Sequence, residues 1–255
     1  MNSPAVIPNQ PPAPRPKSVF FLSDVHLGVQ SPEEERAKVR RVLAFLDHVL
    51  RNGEELFILG DLFDYWFEYR YVVPRGHHHV LSRLAQLVEN GVTVRYLVGN
   101  HDFWLKDFFP DELGIPVYTE PLAVERRGRR LYLHHGDGLA LNDTGYRILK
   151  AVLRNRVSMF LFSLLHPTVA SWLARSSSKK SRQYTGNKDY GETDGMIRFA
   201  AEKTAEGYDA VLMGHRHVPA DMPAGTGRYI NLGDWMQHNT YAELTDDALE
   251  LKTWI

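Results

Sequence analysis

Short apolar runs recur along the chain, and each ends in a cluster of small, polar and ionisable residues. They are Val19 to Leu22, Leu56 to Leu59, Val92 to Val98, Leu131 to His134 and Ala210 to Met213. Apolar runs of this length bounded by turn signals predict strands buried on both faces. Between the first two runs, Ser31 is placed to cap a helix, with Pro32 at its first position and Glu34 three residues after the cap. Val39, Val42, Leu43, Leu46, Val49 and Leu50 then follow at helical spacing up to Gly53. A second helix is predicted from about His77 to Glu89, with Val80, Leu81, Leu84, Leu87 and Val88 on one face. Strand alternating with helix predicts βαβ units with parallel pairing, hence an α/β fold. Antiparallel strands are predicted to finish the chain, near Arg228 to Asn231, Tyr241 to Leu244 and Leu249 to Trp254.

That rhythm breaks between residues 142 and 194. Tyr146 to Trp172 is amphipathic and predicted helical, and a polar stretch from Ser176 to Arg182 follows. No acidic residue falls between Asp143 and Asp189, whereas Arg147, Lys150, Arg154, Arg156, Arg175 and Lys179 all lie there. We read 142–194 as a helical insertion or lid within a single domain, 18–255; a solvated helical hairpin is the plainer alternative. Residues 1–17 carry six prolines and no long apolar core, which reads as a disordered tail, with no signal peptide or membrane span. A cytoplasmic protein is the expectation.

A formal net charge of −1 over 255 residues gives no global basicity that would point to nucleic acid. Twelve histidines against no cysteine exclude disulfides and thiolate metal sites. Any metal would therefore be held by imidazole, carboxylate and amide oxygen.

Each predicted strand ends in residues of that kind. Ser23-Asp24-Val25-His26 follows the first, Gly60-Asp61-Leu62-Phe63-Asp64 the second and Gly99-Asn100-His101-Asp102 the third; His134-His135-Gly136-Asp137 and Gly214-His215-Arg216-His217 follow the fourth and fifth. Sites in open α/β sheets assemble at strand ends. Singly, each motif is an ordinary loop. Together they would gather ionisable groups at one edge, at a cost in repulsion and desolvation that a cation offsets.

The order and spelling of these five motifs resemble the calcineurin-like metallophosphoesterases. The resemblance implies a four-layer αββα sandwich and two divalent metal ions, Mn first, with Fe, Co or Zn as alternatives. It puts Asp24, His26 and His217 on one metal, Asn100, His135 and His215 on the other, and Asp61 between them. His101 would stand beside the scissile group with Asp102 orienting its ring, and Asp64 would support a ligating histidine. His134 is expected to face the other side of its strand. The implied chemistry is in-line attack on phosphorus by water activated between the two cations.

Longer stretches resemble one branch, the UDP-2,3-diacylglucosamine pyrophosphatases of lipid A synthesis, from about Ser18 onward. They are Ser23 to Gly28, Leu59 to Trp66, His135-Gly136-Asp137 with Asp143-x-x-Tyr146-Arg147, and the basic insert. This implies a nucleotide-lipid substrate, a lid over its acyl chains, and contact with an anionic membrane surface. Ser177, Lys180 and Arg182 are candidates for diphosphate or sugar contacts. The branch's best-known members carry arginine where this chain has His101, the histidine of the wider superfamily. Two alternatives stay open: a diesterase or nuclease of the same superfamily, and a non-catalytic scaffold. The first lacks aromatic residues interleaved for base stacking. The second is disfavoured because every expected ligand is present. The aromatic run Tyr65, Trp66, Phe67, Tyr69 and Tyr71 reads first as packing, and His77 to His79 as a solvated run.

Overall fold

The computed structural model describes residues 17–139, 152, 155–173 and 192–255. Helix α1 (Pro32–Asn52) starts on a reciprocal cap: Ser31 Oγ accepts the Glu34 N–H, and the Glu34 carboxylate accepts the Ser31 N–H. Its buried face runs through Lys38, Val42, Phe45, Leu46 and Val49, the three- and four-residue spacing of a helix stripe. In α2 (His78–Glu89), Val80, Leu84 and Leu87 do the same.

These helices are the crossovers that make β1 (Ser18–Leu22), β2 (Gly53–Leu59) and β3 (Thr93–Leu97) parallel neighbours. β4 (Val117–Tyr118) extends the parallel set, and β10 (Thr240–Leu244) and β11 (Leu249–Thr253) add antiparallel strands, giving the order β11-β10-β1-β2-β3-β4. A second sheet contains β5 (Leu122–Arg126), β6 (Arg129–Leu133), β7 (Ala210–Met213), β8 (Ala220–Ala224) and β9 (Gly227–Asn231), in the order β5-β6-β7-β9-β8.

Alternation along the strands sets the layers. Phe20, Leu22, Leu56, Ile58 and Tyr96 pack under α1, α2 and α3 (Phe108–Leu113). Their alternates Val19, Phe21, Phe57 and Leu59 meet Leu131, Leu133, Leu212 and Ile230 of the second sheet. That sheet's outer face, through Val211, Met213 and Tyr229, is covered by Met196 and Ala200 of the helix Glu192–Ala205. The result is the helix–sheet–sheet–helix sandwich that the resemblance implied.

Three local expectations change. β9 is parallel to β7 and antiparallel only to β8, so it does not belong to the terminal antiparallel group. β5 and β8 escaped the apolar-run criterion because they are half-exposed edges, β5 bearing Glu125 and Arg126 and β8 interrupted by Pro223. In the insert, the described helical residues form α4 (Arg156–Ser163) and α5 (167–173), with a break at 164–166. Pro167 removes an N–H and disfavours helical backbone at His166, which ends one helix and lets the next begin. The last helix, Glu192–Ala205, is thus α6. Among the described residues, no helix is long and apolar enough to cross a membrane.

Candidate metal centre

The strand-end motifs converge because parallel pairing continues past the strands. The Asp24 N–H donates to Gly60 O, His26 N–H to Asp61 O and Leu27 N–H to Leu62 O, at 3.2, 2.9 and 2.9 Å. Within the second sheet Gly214 N–H donates to His135 O at 2.9 Å, and His215 N–H ties that sheet to the first by donating to the Asp24 carboxylate at 2.8 Å. Two glycines are required by close approach. A Cβ on Gly99 would lie 2.0 Å from Asp61 Oδ1, and one on Gly214 would lie 2.0 Å from Ser23 Oγ and 2.2 Å from Asp24 Oδ2.

Asp24, His26, Asp61, His215 and His217 hold the left-handed backbone, with φ of 53°, 48°, 55°, 70° and 60°. Among the described non-glycine residues only Arg127 and Asn239 share it. Such conformations cost roughly 1–3 kcal/mol each and persist where surrounding structure enforces them.

The side chains form two groups that share one oxygen. In the first, His26 Nε2 and His217 Nε2 face each other at 3.0 Å, with Asp24 Oδ1 at 3.6 and 3.3 Å from them. In the second, Asn100 Oδ1 lies 2.9 Å from His135 Nε2 and 2.8 Å from His215 Nδ1. Asp61 Oδ2 is 3.6 Å from His26 Nε2 and 3.4 Å from His135 Nε2, so it stands between them. All seven residues singled out as ligands therefore meet at one place.

This donor set fits divalent cations. Asp24 Oδ1 is buried with no hydrogen-bond partner, and the two Nε2 atoms beside it point at one another. His135 Nδ1 sits 2.7 Å from Leu59 O, which keeps a proton on Nδ1 and makes Nε2 the nitrogen that a cation would engage. Donor atoms of Asp24, His26 and His217, and likewise of Asp24, Asp61 and His135, all lie within 4.8 Å of one another. Imidazole, carboxylate and amide oxygen suit Mn, Fe, Co or Zn.

The same groups polarise one another. Burial opposes charge on His26, but Asp24, Asp64 and Asp61 outweigh it and raise its pKa to about 10. His135 is likewise raised to about 10, against burial, chiefly by Asp61. Burial would raise Asp61, yet His135, His101 and His26 hold its carboxyl far below the usual range. Asp24 is held down against burial by His217 and His26. His215 and His101 are pushed down by burial.

His101 lies edge-on to His26 with ring centroids 4.8 Å apart, and its Nδ1 is 3.0 Å from Asp64 O. Asp102 does not orient that ring, contrary to expectation. Its carboxylate accepts the Tyr96 hydroxyl at 2.5 Å and the Gly99 N–H at 2.8 Å, bracing the loop that carries Asn100 and His101. Fully buried, it has its pKa raised to about 6 by desolvation and then by Asp61. Asp64 Oδ1 lies 3.7 Å from His26 Nδ1 and 3.6 Å from His101 Nδ1. His134 turns away toward α6, its ring 5.6 Å from Phe199. Ser177, Lys180 and Arg182 lie outside the described residues.

Sequence reasoning missed Lys38 and Glu35. The Lys38 ammonium, fully buried, donates to His26 O at 2.7 Å, and Glu35 accepts the Gly28 N–H at 2.8 Å. The available signal was a lysine on the apolar stripe of α1, four residues before Val42.

Beside the centre, a cleft of about 600 Å³ runs from Asp64 and Tyr65 past Arg75 and His77 to Ser171 and Trp172 of α5. Tyr65, Phe67 and Trp104 form an apolar cluster next to it, against which α4 packs Met159 and Phe162.

Curated relatives cover nearly the whole chain. A UDP-2,3-diacylglucosamine hydrolase of Porphyromonas gingivalis is 34% identical over 92% of this chain and 97% of its own length. Proteins of the same name from Pseudomonas paraeruginosa and Pseudomonas aeruginosa are 32% and 31% identical, each over 86% of this chain and 91% of their own. The family model described as calcineurin-like phosphoesterase matches residues 17–219. With that match spanning every ligand-type motif of both sheets, the chain belongs to the calcineurin-like phosphoesterase family.

Proposed function

We propose that this metallophosphoesterase binds two divalent cations, Mn first among them, and hydrolyses the pyrophosphate of UDP-2,3-diacylglucosamine to UMP and 2,3-diacylglucosamine 1-phosphate. The observation that carries the dinuclear reading is the shared Asp61 Oδ2, which faces His26 on one side and His135 on the other. The names and coverage of the curated relatives support the substrate.

Asp24, His26 and His217 would hold one cation, Asn100, His135 and His215 the other, and Asp61 both. When bound, the pair supplies an acidified water as nucleophile and positive charge for the phosphoryl oxygens. The protein's own residues then determine geometry and proton traffic. The left-handed backbones at Asp24, His26 and Asp61 aim their side chains at one focus before any ligand arrives. Asp64 O holds the proton of neutral His101 on Nδ1, which fixes the tautomer. The proton that the attacking water loses would be taken up at His101 Nε2, and the imidazolium so formed would face the oxygens on which charge develops and return the proton to the leaving oxygen. A cavity of about 280 Å³ lined by Tyr65, Phe67, Tyr69, Val72, Val73 and Pro74 supports a place for acyl chains.

The test is hydrolysis by metal-stripped protein resupplied with Mn, on UDP-2,3-diacylglucosamine and on bis-p-nitrophenyl phosphate. Release of UMP that is abolished in Asp61→Ala is the expected result. Turnover of the generic diester alone would retain the metallophosphoesterase and reject the lipid nucleotide as its substrate.

A further inference from the structure

We infer that Lys38 is a positioning residue of the metal centre, acting through the backbone of His26. Lys38 occupies a core position of α1, in register with Val42, Phe45, Leu46 and Val49, and its side chain is fully buried. A lysine rarely occupies such a place unless its ammonium is paired. Here Nζ donates to the carbonyl oxygen of His26 at 2.7 Å and lies 3.1 Å from Glu35 Oε2. Glu35, one turn earlier on the same helix face, accepts the N–H groups of Gly28 at 2.8 Å and Gln30 at 3.3 Å. The two side chains grip the ligand loop by opposite backbone groups, Lys38 by a carbonyl and Glu35 by two amides.

The gripped peptide is one that would otherwise relax. His26 has φ of 48° and Gly28 of 97°. On its other side the His26 N–H donates to the carbonyl of Asp61, the oxygen-sharing residue of the centre. His26 is thus fixed at its N–H by β2's loop and at its carbonyl by α1, while its Nε2 faces His217 at 3.0 Å. Without Lys38 the carbonyl is left buried and unpaired, and the peptide is free to turn toward a commoner conformation, carrying the ring away from Asp24 and His217. The hold requires no contact between Lys38 and any bound cation or substrate. This inference rests on the metal-centre reading of these residues and not on the identity of the substrate.

The measurement is calorimetric titration of metal-free full-length protein with MnCl2, comparing Lys38→Met with Val42→Ala. The latter loosens the same helix face one turn further on, at a residue with no polar side-chain group to hold the His26 carbonyl. We expect Lys38→Met to weaken Mn binding at least tenfold and to lower kcat on bis-p-nitrophenyl phosphate with little change in KM, and Val42→Ala to bind Mn as the wild type does. Unchanged affinity in Lys38→Met, or equal weakening in both variants, overturns the inference. Should Lys38→Met fail to fold by circular dichroism, Glu35→Gln decides by the same titration. A threefold or greater loss of affinity supports the clamp, and wild-type affinity rejects it. Failure of Mn to bind the wild type at all would remove the metal-centre reading itself, a separate outcome.

Discussion

His101 combines a ring held by Asp64 O, an edge-on contact with His26, and burial that favours its neutral form. Its backbone N–H donates to Asp61 Oδ1 at 2.8 Å, a contact that an alanine keeps, whereas the ring is what the substitution removes. His101→Ala should therefore lower kcat by about 10²–10⁴, the range of a positioned proton donor or acceptor, with Mn affinity within about twofold of wild type. Steady-state kinetics beside calorimetric titration checks both halves; a matching loss of Mn affinity would make His101 a ligand instead. At this scale residue identity was legible and conformation was not. The seven ligand-type residues stood out because aspartate, asparagine and histidine recur after apolar runs. Nothing in Asp24 or His215 announces φ above 50°, which tertiary pairing between neighbouring loops imposes. Asp102 was misassigned for the same reason. Adjacent in sequence to His101, it points into the core toward Tyr96 and Gly99.

Among the elements, the central strands and first two helices followed directly from periodicity, since both sheets bury their inner faces and α1 has a full cap. Edge strands were harder: β5 and β8 alternate at low hydrophobicity, and only their partners make them strands. The insert was legible as amphipathic, though the break before Pro167 divides the described part between α4 and α5. α4 packs Met159 and Phe162 inward, with the Phe162 ring 4.9 Å from Phe67 and 4.5 Å from Trp104. Its other face leaves Phe160 and, just beyond it, Leu164 62% and 66% exposed. Exposed apolar residues beside a basic sequence have the composition of elements that rest on anionic lipid, which makes membrane contact a proposal to test. The double variant Phe160→Glu/Leu164→Glu should co-sediment less with phosphatidylglycerol vesicles while hydrolysing bis-p-nitrophenyl phosphate at the wild-type rate. Equal sedimentation of both proteins would remove the membrane from this account.

For the whole molecule, the centre joins two sheets that otherwise meet through apolar contacts such as Phe21 and Phe57 with Leu131 and Leu212. The loops after β1, β2 and β3 bring Asp24, His26, Asp61 and Asn100, while those after β6 and β7 bring His135, His215 and His217. Bound cations would tie the halves together without being needed for the core, so chelation should lower Tm and leave a folded protein. Protons compete for the same atoms. His26 and His135, raised from 6.5 to about 10, carry protons in the metal-free protein at neutral pH. The stability these protonated pairs contribute is complete below pH 6.5, their unfolded value, and is lost as pH rises through about 10. The carboxyls of Asp24 and Asp61 are held below their usual range, so their share is present above the unfolded value and lost on acidification. Each cation must displace one imidazolium proton, from His26 or from His135, so loading both should release about two protons, and each site should tighten up to roughly tenfold per pH unit near neutrality. A hundredfold excess over Kd adds about 2.7 kcal/mol, or roughly 5–11 °C in Tm for a chain of this size. Calorimetry at pH 7 in two buffers of different ionisation enthalpy counts the protons, and thermal melts with and without Mn at pH 6.5 and 8 read the linkage. The Mn-dependent rise in Tm should be larger at pH 8; an equal rise at both, with no buffer dependence of the heat, would mean that these histidines are neutral before the metal arrives.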